Sequence, residues 1–537
     1  MTDLSPTLPW HGKTSILEQI RAWDGKTKLR FEEPENIGAK AARYVPGALD
    51  GIVSHHAGKF ANETRDVRIK TLIAALFQLK IIDDDTNRRN LYVVYKDTHL
   101  LSDADDLSKA LVNQSDVMPE DVSPHALWLV RNAVDVEPLK LGIMLAGLSQ
   151  CAECLEDLIV LARHDEFSLF AAIAAANINS NTVDTLWKMA QSTMGWGKIQ
   201  IVERLVKYVD NRPDIRAWLL SDGCENHVMD EYLAYICAVS GCMLDALKLP
   251  MDDHTLDGCI RIMNALLRGG PARDIDSYED GAECAILLMN LLETRCNSLY
   301  RLRGVGMIKW FVEWPLDLST DKSAPSNEPS NVDRWIARTE RGWTVDFRAE
   351  LSRKCDQILM QPDRKASVRE TYRSGDREAE YMCWRVAPSI GLDLWPEAFE
   401  KLKADPLRHH YYAHMLENPS PNRGAAIIKF AEDHVPLSEI ATGPSNKRSH
   451  EVKSEIFRIM DWVLQYMAKA GVYNEALLTA GLRSPTIRNR GMALKTLRQM
   501  EIATIGPQLR EDLARNVIDD PDDDLRKQAE ELLARLT

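Results

Sequence analysis

Apolar residues recur at helical spacing along most of the chain, and the pattern is sharpest at its C-terminal end. The text SPTIRNRGMALKTLRQ from Ser484 and DPDDDLRKQAEELLARL from Asp520 align at a spacing of 38 residues. Ile487-Arg488 falls on Leu525-Arg526, Gly491 on Ala529 and Leu494 on Leu532. Each copy reads as one amphipathic helix, with a small residue where a neighbouring helix comes close. Upstream, Ile69, Leu72, Ile73, Leu76 and Leu79 form one face behind Asp66-Val67-Arg68. Between Ser123 and Trp314 the periodicity predicts helix after helix: 124–134, 138–149, 152–164, 167–176, 181–191, 197–209, 212–221, 229–240, 254–268, 279–294 and 298–313. Short turns such as Asp210-Asn211-Arg212-Pro213 and Gly269-Gly270-Pro271 join them, so successive helices pack antiparallel. Only LYVVYKD, around Tyr92 to Tyr95, has a strand flavour. A lone strand needs a partner, so it is read as a buried helix start or an irregular crossing.

These elements predict an all-α fold. A period of about 40 residues with helices throughout marks stacked helical hairpins. Asp524, Leu525, Arg526, Ala529 and Leu532 resemble the second helix of a HEAT repeat; the earlier copy departs from it at Thr486 and Gly491. The resemblance implies a HEAT-like α-solenoid of antiparallel helical hairpins, elongated or curved. Breaks in the pattern divide the chain into an irregular N-terminal segment (1–60), a helical HEAT-like array (61–314), a Ser/Pro/Asn-rich linker or long loop (315–331), a helical segment (332–434), a loop (435–450) and C-terminal HEAT-like repeats (451–537).

Composition narrows the function. With 537 residues the chain exceeds one ordinary core. A net charge of −14 disfavours a general nucleic-acid binder and favours a basic partner. The ten cysteines are scattered, most of them in apolar helical text, as in a reducing compartment. No signal peptide or membrane span is evident, so a cytoplasmic protein without a membrane partner is expected.

Candidate chemistry is sparse. Cys151 and Cys154 form one CxxC without a second pair, which fits core packing better than zinc. The pairs His55-His56 and His409-His410, with His414 four residues on, lack an HExxH acid, so no metal is expected. Asp83–Asp85 reads as a solvated turn, and Asp522–Asp524 as the cap of the last helix. Gly304-Val305-Gly306 reads as a helix junction. No nucleotide-binding or nucleophile-elbow motif occurs, and no cofactor is implied. The Trp- and Arg-rich text of 332–395 contains dispersed acids and reads as a charge-laced helical surface. STMGWGKIQIVERLVKYV, from Ser192, places Trp196 between two glycines with Lys198 and Arg204 following. These three are the candidate partner-binding residues, with Trp196 either an exposed anchor or a staple from turn to core.

Two function classes follow. One is a non-enzymatic protein–protein interaction scaffold or adaptor, including a regulator or toxin-immunity protein. The other is a HEAT-like nucleic-acid binder or DNA glycosylase-like enzyme, by likeness of repeat architecture alone. An all-helical enzyme assembled from distant repeats stays open.

Overall fold

The structure, a computed structural model, describes residues 8–25, 27–31, 46–48, 50–51, 64–178, 182–314, 331–448, 454–501 and 505–536. The pair His55-His56 and residues 315–330 of the expected linker lie outside the described residues. Those described are helical, with turns and one isolated bridge between Lys447 and Thr486 in place of any sheet. No helix among them is long and apolar enough to cross a membrane. They form two compact units, Met1–Ile358 and Leu359–Thr537.

In the first unit α1 is Ile16–Ala22, α2 Arg65–Ile81, α3 Asp85–Val93, α4 Ala104–Val112, α5 Pro119–Asn132, α6 Val136–Leu148, α7 Leu155–Leu161, α8 Asp165–Ile178 and α9 Thr182–Ala190. There follow α10 Gly195–Leu205, α11 Pro213–Trp218, α12 Glu231–Ser240, α13 Met243–Leu247, α14 Asp253–Arg268, α15 Gly281–Arg295, α16 Leu299–Glu313, α17 Asn331–Glu340 and α18 Val345–Leu359. Polar caps start several of them. The side chains of Asp252 and Ser298 accept from the N–H groups of Thr255 and Arg301 at the heads of α14 and α16. The LYVVYKD text forms the last residues of α3 and the turn after it; Asp84 caps the head of that helix in the same way, accepting from Asn87, and Asp83 pairs with Arg88. Tyr92 and Tyr95 are buried with their hydroxyls on Asp135 and Asp103.

Packing follows the alternation of the helices. Each of α6, α8, α10, α12, α14 and α16 packs on the next of this set, while intervening helices cover them and α7 meets α9 and α13 meets α15. Small residues sit where the set crosses: a Cβ on Gly147 would stand 2.8 Å from the Ala174 Cα, and one on Gly304 2.5 Å from Ile260. Gly304 therefore lies inside α16 at a helix crossing, not at a junction. Ion pairs tie residues distant in sequence, among them Arg68 with Asp103, Arg301 with Asp257 and Arg268 with Glu231.

In the second unit α19 is Arg364–Ser374, α20 Arg377–Val386, α21 Trp395–Ala404, α22 His409–Met415, α23 Pro421–His434, α24 Leu437–Ile440, α25 Ile456–Ala470, α26 Glu475–Leu482, α27 Ile487–Gln499, α28 Pro507–Asp519 and α29 Asp523–Leu536. Here too alternate helices meet: α25 packs on α27, α27 on α29, α24 on α26 and α26 on α28. Gly491 of α27 faces Leu525 of α29. Asp522 caps α29, accepting from the N–H groups of Asp524 and Leu525. The arginine that is buried is Arg490, two residues after the aligned Arg488. The side chains of Arg490 and Asp520 are both 0 % exposed. Nε and Nη2 of Arg490 donate to the two oxygens of Asp520 at 2.7 and 2.8 Å. Its Nη1 donates to the carbonyls of Ser445 and Ser484. Ser445, in the stretch 435–448, is thus held to α27.

Candidate functional site

The three residues singled out in the sequence all lie on α10, and the structure places them differently from a surface anchor. Trp196 is 5 % exposed, its ring 5.0 Å from that of Tyr232. A Cβ on Gly51 would stand 2.1 Å from the Trp196 ring, so the glycine lies flat against the indole. Trp196 is therefore covered, and in this conformation it presents nothing to a partner. Gly195 takes a φ of 66°, a left-handed value that favours glycine, and opens the helix. Arg204 is half-buried and donates to the Gln200 carbonyl at 2.9 Å. Removing Trp196 deletes a large core side chain. Trp196→Ala is expected to lower stability by about 3 kcal/mol, measured as a shift in thermal unfolding of the full chain.

Lys198 is the chemically unusual one. It is 2 % exposed, and its Nζ donates to the Asp222 carbonyl at 2.9 Å with the Trp218 ring 5.2 Å away. Among the described residues no carboxylate lies within ion-pair distance of it, and burial lowers its pKa below the usual lysine value. The carbonyl it meets belongs to a π-helical turn, Leu219–Gly223, inserted after α11. Such turns leave carbonyls that need partners, and they recur at functional sites. Gly258 of α14 admits this turn: a Cβ there would stand 2.0 Å from the Leu220 oxygen.

The Asp222 side chain builds outward from the same turn. Oδ1 lies 2.9 Å from Nε2 of His254, and Oδ2 accepts from the Ser221 hydroxyl at 2.6 Å. Burial works to raise the Asp222 pKa, but Ser221 and His254 outweigh it and hold the carboxyl below its usual value. The bond to Asp222 raises the pKa of the exposed His254. The carboxylate stands between hydroxyl and imidazole. A serine nucleophile needs the imidazole in the middle, so Ser221 is not activated. The set holds one exposed imidazole on the side chain of the residue whose carbonyl meets the buried amine.

That amine is held at a cost. A depressed lysine pKa means that stability is greatest above the unfolded value and falls as pH drops through the folded one. Lys198→Met is therefore expected to change stability by less than about 1 kcal/mol at neutral pH, or to raise it. Chemical denaturation of the full chain checks this.

A second buried lysine has the opposite surroundings, and sequence reading passed over it. Lys140 of α6 donates to Asp50 Oδ2 at 2.6 Å, to Glu166 Oε1 at 2.6 Å and to Glu137 Oε1 at 3.3 Å. Burial works to lower its pKa, but the carboxylates of Glu137, Asp50 and Glu166 overcome this and hold it well above the ordinary value. His99 Nδ1 lies 3.2 Å from Glu137 Oε1, and the Leu100 N–H donates to Glu137 Oε2. Three carboxylates share one ammonium, and burial with the neighbouring Glu137 and Glu166 pushes Asp50 up to about 6 against the pull of Lys140. The partners sit at positions 50, 137 and 166, so no local motif announces the cluster.

The remaining candidates settle into the fold. Cys151 and Cys154 are buried free thiols 3.4 Å apart at the head of α7. His410 and His414 have ring centroids 6.0 Å apart on α22, and His414 stacks on Trp384. Burial, with His410 beside it, drives His414 down to about 4. No group of three or more His, Cys, Asp and Glu side chains among the described residues is arranged to hold a metal ion. In the Arg-rich text, Arg338 pairs with Asp276, Arg369 and Arg373 with Glu397, and Arg348 lies over Trp335 at 3.9 Å. Comparison with protein-family models and with curated proteins gives no match for the chain.

Proposed function

We propose that the chain is a non-enzymatic interaction scaffold, a HEAT-like α-solenoid of antiparallel hairpins that binds another protein. The observation that carries this reading is the succession α6, α8, α10, α12, α14 and α16, each packed on the next. Hairpins that bury their apolar faces only against neighbouring hairpins make arrays with a long continuous surface, and such surfaces suit macromolecular partners. The cation–carboxylate ties between residues distant in sequence, from Arg68–Asp103 to Arg490–Asp520, support the same reading. A net charge of −14 favours a basic protein as partner and disfavours nucleic acid.

Affinity purification of the full-length protein from its source extract, followed by cross-linking and mass spectrometry, tests the proposal. The expected result is one stoichiometric protein, retained after nuclease treatment and weakened by added salt. A consistently solitary protein would overturn the proposal. So would duplex DNA binding in a low-salt mobility shift with no protein partner.

A further inference from the structure

Residues 46–48 and 50–51, a turn leading into helical backbone, are built into the face of α6, α8 and α10 by two glycines and one acid. Gly47 has a φ of 69°, and a Cβ on it would stand 2.2 Å from the Asp165 oxygen at the head of α8. Its N–H donates to Glu166 Oε2 at 2.9 Å. The Gly51 N–H closes the turn on the Gly47 carbonyl at 3.0 Å, and Gly51 itself lies on the Trp196 ring of α10. Asp50, between them, reaches Lys140 of α6. One turn therefore touches three successive helices, and each contact depends on a residue type that few substitutions would preserve.

The electrostatics of the contact are unbalanced. Without the turn, Lys140 faces Glu137 and Glu166, already one carboxylate in excess. Docking brings Asp50 as a third, in a site where all four groups are largely withdrawn from water. A buried excess of like charge is costly unless a proton or cation relieves it. The titratable and charged groups around Asp50 are Lys140 and Glu137 from α6, Glu166 from α8, and His99 behind Glu137. Asp165 lies under Gly47, with His227 Nδ1 3.8 Å from its carboxylate.

We infer that the segment carrying Gly47, Asp50 and Gly51 is a proton-sensitive clasp on the α6–α8–α10 face, docked most firmly when Asp50 is protonated, and that its release uncovers Trp196. The inference goes beyond the scaffold reading and does not depend on it. The sign follows from linkage. Asp50 has a pKa of about 6 when docked against 3.8 as a free side chain, so the docked turn binds the proton more tightly. Docking is then strongest below the lower value and weakens as pH rises through the upper one. Between pH 8 and pH 5 the docking constant is expected to rise about tenfold.

Hydrogen exchange on the full-length protein, corrected for intrinsic rates, tests this at pH 5 and pH 8. The amides of Gly47 and Gly51 are expected to be about tenfold better protected at the lower pH relative to those of α14. Asp50→Asn, a neutral side chain of the same shape, should reduce that difference to less than about threefold, the remainder being carried by His99. Gly51→Val, which cannot lie on Trp196, should free the amides of residues 47 and 51 at both pH values while α14 keeps its protection. The inference fails if wild-type protection of these two amides differs by less than about twofold between the two pH values. It fails equally if Asp50→Asn keeps the full pH dependence, or if Gly51→Val leaves them as protected as before.

Discussion

Asp520→Ala is expected to destabilise the C-terminal unit by about 3–5 kcal/mol. The guanidinium of Arg490 would keep its two carbonyl partners but lose both carboxylate bonds in a site that water does not reach. A buried charge without its counter-ion costs far more than the pair contributes. Replacing both members by apolar residues of similar size, as in Arg490→Met with Asp520→Leu, is therefore expected to recover most of the loss. The Ser445 and Ser484 carbonyls, and the Asp522 N–H that Asp520 accepts, would remain unpaired. Denaturant unfolding of the full chain, followed through peptides of α27 to α29 by hydrogen exchange, separates the single from the double variant.

Lys140→Met is expected to have a comparable effect in the first unit, about 3–5 kcal/mol at pH 8, because it strands Glu137, Asp50 and Glu166 without their ammonium. The loss should shrink at pH 5, where the stranded carboxylates take up protons. In the wild type the raised Lys140 pKa contributes stability that is fully present below the usual lysine value and is lost only as pH rises through the higher folded one. Exchange of α6 and α8 peptides measures both. The contrast with Lys198→Met makes the point sharply: two buried lysines four helices apart in the chain should respond in opposite ways, since one has three carboxylates and the other a backbone carbonyl.

The helices were legible because their signals are local. Caps such as Asp252, Ser298 and Asn474, prolines such as Pro213 and Pro507 at helix starts, and apolar residues at spacings of three and four lie within a few residues of what they determine. LYVVYKD, with its strand flavour, ends a helix and enters a turn, and the Tyr92 hydroxyl is held there by Asp135, 43 residues on, outside any local window. The π-helical turn at Leu219–Gly223 breaks the helical period that sequence reading relies on. Trp196 illustrates the limit of composition. A tryptophan between glycines fits an exposed anchor and a buried staple equally well, and the decision rests on Gly51, more than a hundred residues away. Lys140 reads as an ordinary helix lysine until residues 50 and 166 are brought to it. Arg490 was eclipsed by Arg488, which matches the repeat register but is half exposed.

Native-state hydrogen exchange across the whole chain tests the proposed stack of hairpins most directly. In an array whose repeats contact only their neighbours, opening free energies vary from hairpin to hairpin. The expected result is a graded series within the first unit, highest over α8 to α14 and falling toward α2 and α3. A single common opening free energy for every helix from α2 to α16 would contradict the stacked-hairpin account.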